Sequence, residues 1–206
     1  MQANAVEKRT SLARKGFTLI EVVVAALIVA MLAAVTTPSL LGFIDRQRAQ
    51  TTADKLASIG AGVAAFKAAV LTGGAGTNTY PGRISELTNL ITNSALTSIN
   101  SCGAAFTNGA VTTWSANGPF LTFFIPNTGY VTPIGTINDA TVRVPNSATV
   151  GVMKIQIPNV GQEDANALDQ IVDGGDGGTT GVVQWIAFAG GNTSMLSYLI
   201  PLANKC

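Results

Sequence analysis

The side chains equipped for chemistry are few and far apart. Histidine is absent, which removes the commonest general base and metal ligand, and with it every Ser-His-Asp, Cys-His or His-zinc arrangement. The two cysteines, Cys102 and Cys206, cannot complete a tetrahedral metal site alone. An even cysteine count in a chain with an apolar segment of membrane-crossing length predicts one disulfide, formed in an oxidising compartment, with Cys206 restraining a chain end that would otherwise fray. Two buried thiols are the alternative. No nucleotide loop is present, and no carboxylate pair suited to a catalytic cleft stands out. No catalytic residue is assigned, and the chain is read as something other than an enzyme.

Two groups of carboxylates remain. Glu163 to Val172 reads as a short helix with Ala165, Leu168 and Ile171 on one side, running into Asp173-Gly174-Gly175-Asp176-Gly177-Gly178. Asp173 and Asp176, with Asp169 one turn upstream, offer oxygens to calcium, which takes about six to eight of them. The spacing is not that of an EF-hand, and the closing glutamate is missing. A flexible helix-to-strand turn is the plainer reading of the same residues, and no other cofactor is implied.

The other carboxylate is Glu21, just inside an apolar run. From Val22 to Ile44 there are 23 residues without a charge, and Val22 to Val35 is apolar throughout. As a helix that is long enough for a bilayer core of about 30 Å. Lys8, Arg9, Arg14 and Lys15 precede the run, while Asp45, Arg46 and Arg48 follow it. The denser basic side predicts a cytoplasmic N-terminus and an exported remainder. The run is too long for a cleaved secretory signal and lacks a persuasive A-x-A site. A plain anchor accounts for the hydrophobicity but not for Glu21, since an unpaired carboxylate at mid-membrane costs about 3 kcal/mol, less near the interface. Cleavage after Gly16 makes Phe17 a free amine four residues from Glu21. In a bundle of such helices, the amine of one subunit neutralises the carboxylate of its neighbour and sets their axial register.

Lys15-Gly16-Phe17-Thr18-Leu19-Ile20-Glu21-Val22 resembles the type IV prepilin processing site. The resemblance implies that a prepilin peptidase of the inner membrane cuts after Gly16 and methylates Phe17. It places Glu21 at the fifth mature position and Pro38 at the twenty-second, where pilins often carry a helix-bending proline. The implied function is that of a structural subunit of a type IV pilus. Such a subunit is a single-pass precursor in the inner-membrane bilayer, handed by an assembly platform into an extracellular helical filament of itself or other pilins. A pseudopilin of a type II secretion system, assembled into a periplasmic pseudopilus, carries the same motif. A minor pilin with an adhesive or DNA-capturing role is a further alternative, to which the sparse Arg83, Arg143 and Lys154 lend little. No basic patch stands out, so no nucleic acid is expected as partner of a major subunit. Adhesion, twitching motility, DNA uptake and secretion stay open as roles of the filament.

The remaining elements must hold these residues in place. Charged residues make up only 11% of the chain, against about 25% in soluble domains, so much of the surface is expected to be buried in lipid or protein. Pro38, followed by Gly42, predicts a kink or a locally melted stretch. Helical periodicity then resumes: Leu56, Ile59, Val63, Phe66 and Val70 form one stripe, opposite Asp45, Arg46, Arg48, Asp54 and Lys55. Gly73-Gly74 predicts the stop, and Thr72 to Arg83 reads as a loop. A short helix is expected over Ile84–Ile91. Strands are expected over Pro119–Ile125, Ala140–Val144, Val150–Ile157, Gly181–Ala189 and Met195–Ile200. Met153, Ile155 and Ile157 should face the helix while Lys154 and Gln156 face water. The Gly181–Ala189 strand, apolar on both faces, is expected to be central. The fold class is α+β, a long N-terminal helix on an antiparallel sheet, which agrees with the pilin form that the resemblance implies. The expected divisions are a leader over 1–16, a membrane and polymerisation helix over 17–44, its amphipathic half over 45–72 and a head over 73–206.

Overall fold

The computed structural model describes residues 17–72, 80–145, 151–186 and 194–202. The leader, Gly16 included, and Cys206 lie outside the described residues, as do Gly73-Gly74. The chain divides at Gly42–Phe43 into two compact units. Helix α1 (Leu19–Thr72) begins in the first and ends in the second.

In the first unit every side chain from Phe17 to Val35 is exposed. Leu19 stands 83% open, and Val23 and Val24, the least exposed large apolar residues here, still stand 50% open. A largely apolar helix whose side chains stand exposed all round among the described residues calls for lipid or for other helices. The side chains of 36–41 lie outside the description, and among the described residues no helix is long and apolar enough to cross a membrane. The backbone stays helical through Pro38 and Gly42, so the melted stretch offered as one alternative is not adopted. A proline removes a single ladder bond and crowds a single turn, which the neighbouring turns can absorb.

In the second unit the stripe on α1 is fully used. Leu56, Ile59, Phe66 and Val70 are completely buried and Val63 is 1% exposed, all in one core with Met153, Ile155 and Ile157. Asp54 and Arg46 stay exposed on the far side. Lys55 is drawn inward, its ammonium 4.2 Å from the Phe123 ring centre and 5.8 Å from that of Tyr130, where the ring faces attract a cation.

The sheet facing this helix is antiparallel, with four strands: β3 (Val142–Pro145), β4 (Gly151–Val160), β5 (Val183–Trp185) and β6 (Ser194–Leu202), in the order β3-β4-β6-β5. β4 alternates as predicted, with Met153, Ile155 and Ile157 inward and Lys154 and Gln156 half-buried on the other face. The expectation for the Gly181–Ala189 run is corrected. Among the described residues its paired part is Val183–Trp185, at an edge, and β6 takes the central place beside β4. Residues 187–189 lie outside the described residues. The continuous apolar run had suggested burial on both faces, yet only Val183 is in the core while Ile186 is 75% exposed.

Pro119–Ile125 is not a strand. Phe120 and Leu121, adjacent in sequence, both pack on the core, which a two-residue period forbids. The Phe120 ring meets Phe66 at 5.3 Å, and Leu121 reaches Gly62, where a Cβ would sit 2.8 Å from Leu121 Cδ2. The segment is an irregular cover for α1, anchored by single bonds such as Phe120 N–H to the Leu87 carbonyl at 2.8 Å. The helix expected over Ile84–Ile91 is only a 3-10 turn, Ile84–Leu87. Two features come without prediction: α2 (Asn108–Asn117), and a hairpin of β1 (Tyr130–Thr132) and β2 (Gly135–Ile137) whose turn accepts a 2.8 Å bond from Arg48 at the Pro133 carbonyl.

Candidate functional sites

The start of α1 is built by a cap. Thr18 Oγ1 accepts the Glu21 backbone N–H at 3.3 Å, and the Thr18 carbonyl accepts the N–H groups of Glu21 and Val22 at 3.1 and 3.2 Å. Thr-x-x-Glu ahead of an apolar run is the sequence signature of a helix start, and it was there to be read in Thr18. Glu21 therefore lies in the first turn, where the positive end of the helix dipole favours a carboxylate. Phe17 is 81% exposed beside it. Among the described residues no basic side chain forms an ion pair with Glu21. Pro38 lies farther along the helical backbone, its side chain outside the description.

The second site, in the other unit, grows from α3 (Gln162–Val172). Ala165 and Leu168 are buried and Ile171 packs beside them, as the spacing predicts. Asp169 lies on that same buried side, 3% exposed. Its Oδ2 accepts the Gly177 N–H at 3.1 Å, while its Oδ1 has no partner. Asp173 Oδ2 accepts two backbone N–H groups, from Val182 at 2.9 Å and Val183 at 2.6 Å. One oxygen from each of Asp169, Asp173 and Asp176 lies within 4.8 Å of the others. The loop can close this tightly because Gly174, Gly175, Gly177 and Gly181 adopt φ of +74°, +84°, +95° and +74°, a region that side chains disfavour. At Gly181 a Cβ would also lie 2.7 Å from Asp173 Oδ2 and 2.8 Å from Asp176 Oδ2.

The electrostatics follow from burial and like charge. Asp169 is held above the usual carboxylate range, first by burial and then by the charges of Asp176 and Asp173, with the Gly177 N–H pulling the other way. Burial, together with the charge of Asp173, likewise raises the Tyr198 phenol. Among the described residues no lysine or arginine forms an ion pair with any of the three carboxylates. The structure thus brings Asp173 and Asp176 together as expected from their spacing, with Asp169 as the buried third member.

The other singled-out residues serve the head. Cys102 is half-buried beside β3, where Arg143 Nη1 donates to its sulfur at 3.6 Å and to Ser101 Oγ at 3.2 Å. Arg83 donates to the Thr97 carbonyl at 3.0 Å. Sequence reasoning passed over Glu86, which is 3% exposed. Its Oε2 accepts the N–H groups of Gly82 (2.9 Å) and Arg83 (3.2 Å), its Oε1 accepts that of Ile99 (2.8 Å), and its carbonyl accepts Trp114 Nε1–H at 2.8 Å. Burial pushes this carboxyl up to about 7 against the pull of those three amides and of Arg83. Every polar atom of the group is engaged with its own chain, which makes it a clamp.

No curated protein and no solved structure matches the chain. Residues 12–37 match the family model of the prokaryotic N-terminal methylation motif, so that the capped helix start, Glu21 in its first turn and the bare apolar surface behind it lie in the signature of type IV pilin-like prepilins and pseudopilins.

Proposed function

We propose that the chain is a structural subunit of a type IV pilus. It is made as a single-pass inner-membrane precursor, cut after Gly16 by a prepilin peptidase, methylated at Phe17, and passed by an assembly platform into an extracellular filament of its own kind or of related pilins. The observation that carries the reading is the first unit of α1, exposed on every side from Phe17 to Val35 with an acidic group at its head. Such a surface is stable in lipid before assembly and against identical helices after it.

A pilus is preferred to a periplasmic pseudopilus for its large glycine-rich head over 73–206; a disulfide in that head suits both compartments, since the periplasm is oxidising too. Support for a Cys102–Cys206 disulfide comes from reach. Arg143, beside Cys102, pairs with Met153 on β4, which pairs with Ile200 on β6, so two strand spacings of about 4.8 Å separate β3 from β6. The four residues after Leu202 span up to about 13 Å. Mass spectrometry of sheared surface filaments and of the membrane fraction tests both points. An N-methylated Phe17 peptide in the sheared material is expected, with the Cys102 and Cys206 peptides joined until reduction. The same peptide confined to membranes would give the pseudopilus the advantage, and an intact Met1 terminus everywhere would overturn the reading.

We propose further that Asp169, Asp173 and Asp176 hold a calcium ion. The supporting observation is Asp169 Oδ1, a buried oxygen without a partner beside two more carboxylates. An uncompensated buried acceptor of this kind costs about 1–3 kcal/mol, and a hard cation, an oxygen-seeking charge, removes that cost. Calorimetry on the full chain in detergent micelles is expected to show calcium binding at about 10⁻⁴–10⁻³ M, as in extracellular modules. Asp169→Asn should weaken it at least about tenfold, a loss of about 1.4 kcal/mol. Equal binding by the variant, or none by either protein, removes the site.

A further inference from the structure

The face of the sheet turned away from α1 carries a hollow of about 460 Å³, a size that suits a small-molecule ligand. Strand register builds its floor. Ser197 on β6 stands opposite Gln156 on β4 and opposite Gln184 on β5. An amide, a hydroxyl and a second amide thus form a row across three strands, about 10 Å from end to end. Lys154 lies two residues from Gln156 on the same face. Trp185 and Ile186 close the side toward β5, Trp185 half-buried and Ile186 75% exposed.

The polar groups of the row are not consumed by the fold. Among the described residues nothing hydrogen-bonds or pairs with the Lys154 ammonium, the Gln156 amide or the Ser197 hydroxyl, although Ser197 is only 8% exposed. Gln184 Nε2 donates to the Gly181 carbonyl at 3.3 Å, which leaves its amide oxygen as an acceptor. Polar groups drawn partly out of water and left without protein partners keep their hydrogen-bonding capacity for water or for a ligand.

Their chemistry selects the ligand. Side-chain amides and a hydroxyl both donate and accept, as the hydroxyls of a sugar do. The apolar surface of Trp185 and Ile186 suits the C–H faces of a sugar ring, which the negative face of an indole attracts. Among the described residues one ammonium and no carboxylate line the hollow, so the complementary charge is a single negative one, placed where Lys154 gives it a charge-assisted bond. A nucleic acid calls for several cations. A peptide strand finds no ladder to join on this face, since β4 and β6 are each paired on both sides.

We propose that this hollow binds an acidic saccharide, its carboxylate held by Lys154 and its hydroxyls by Gln156, Ser197 and Gln184. The site gives the head a ligand of its own, whether the filament is a pilus or a pseudopilus.

The test is retention of the labelled full chain, in a zwitterionic detergent free of sugar, on an array of oligosaccharides ending in uronic acids, in sialic acids or in neutral sugars, with single-stranded DNA alongside. Acidic glycans are expected to hold the chain at least about tenfold more tightly than their neutral counterparts. Lys154→Gln should remove that preference, and Gln156→Ala should weaken retention about tenfold. Both variants should melt as the parent does, because the two side chains stand outside the core. Arg46→Gln, at an exposed cation on α1, should change nothing. Absence of retention on every acidic glycan, or equal retention on neutral ones, overturns the proposal. Retention that survives both Lys154→Gln and Gln156→Ala places the sugar elsewhere and overturns it too. A loss as large from Arg46→Gln as from Lys154→Gln, or a preference for DNA, reduces the binding to general charge attraction and ends the saccharide reading.

Discussion

Glu21→Ala is expected to leave cleavage after Gly16 intact and to abolish filaments. On the pilus reading proposed above, cleavage depends on the residues around Gly16, whereas the carboxylate is needed once apolar helices lie against one another. The new amine at Phe17 and the acid at Glu21 are then both out of water, and truncating one member of a buried ion pair costs about 3–5 kcal/mol. At about 1.4 kcal/mol per tenfold, the subunit concentration needed for growth rises by more than about a hundredfold. Helix capping makes a separate contribution, because Thr18 bonds the backbone N–H of residue 21, which alanine retains. Thr18→Ala should therefore cost only about 1 kcal/mol of helix start and leave filaments in place. Immunoblots of sheared and membrane fractions, with the N-terminus read by mass spectrometry, decide the matter. Normal filament yield from Glu21→Ala would end the charge-pairing account.

The second large effect is a pH dependence carried by Glu86. Its folded carboxyl titrates near 7, against 4.5 unperturbed. Between these values the folded chain keeps a proton that the unfolded chain has released, so stability falls as pH rises. The contribution is complete below about 4.5 and gone above about 7, and is worth on the order of 2–3 kcal/mol. Glu86→Gln removes the titration and turns a side-chain amide toward a backbone N–H, leaving a buried donor unpaired at about 1–3 kcal/mol. Thermal unfolding from pH 4 to pH 8 should show the variant well below the parent at the acid end and close to it at the alkaline end. Asp169, also raised, leaves a slope of the same sign in both. A gap between parent and variant that widens with pH would refute the assignment.

The sequence was most legible where one period or one motif governed a segment. The stripe from Leu56 to Val70 and the alternation of Met153, Ile155 and Ile157 each report burial on one face, and each is met in the core. The Lys15 to Val22 motif fixes residue types at successive positions, and the family match falls on it. Pro119–Ile125 misled because aromatic content was read as strand, while its side chains cover a helix without regular pairing. α2 left little trace: Val111-Thr112-Thr113 is a β-branched run of poor helix propensity, and only Ala110 and Trp114 are buried. The signals that mark it are Thr107, which accepts the Ala110 N–H at 3.2 Å, and Gly118 at its other end. Asp169 lay in plain view, but only the fold reveals that the apolar side of α3 carries it inward. Glu86 had no clear signature: Gly82 and Arg83 lie within four residues before it, but Arg83 stands where a capping box normally carries Ser or Thr, and only the fold brings up the Ile99 N–H.

The division of the chain at Gly42–Phe43 bears on how a water-soluble form could be made. Trimming the protein at Gly73, where the sequence marks the end of the helix, would discard Leu56, Ile59, Val63, Phe66 and Val70 and leave the inner face of the sheet wet. A start at Phe43 keeps that face covered and sheds the greasy run from Phe17 to Val35. The amphipathic half of α1 is thus part of the head it supports, and any antigen or crystallisation target drawn from this protein inherits that boundary.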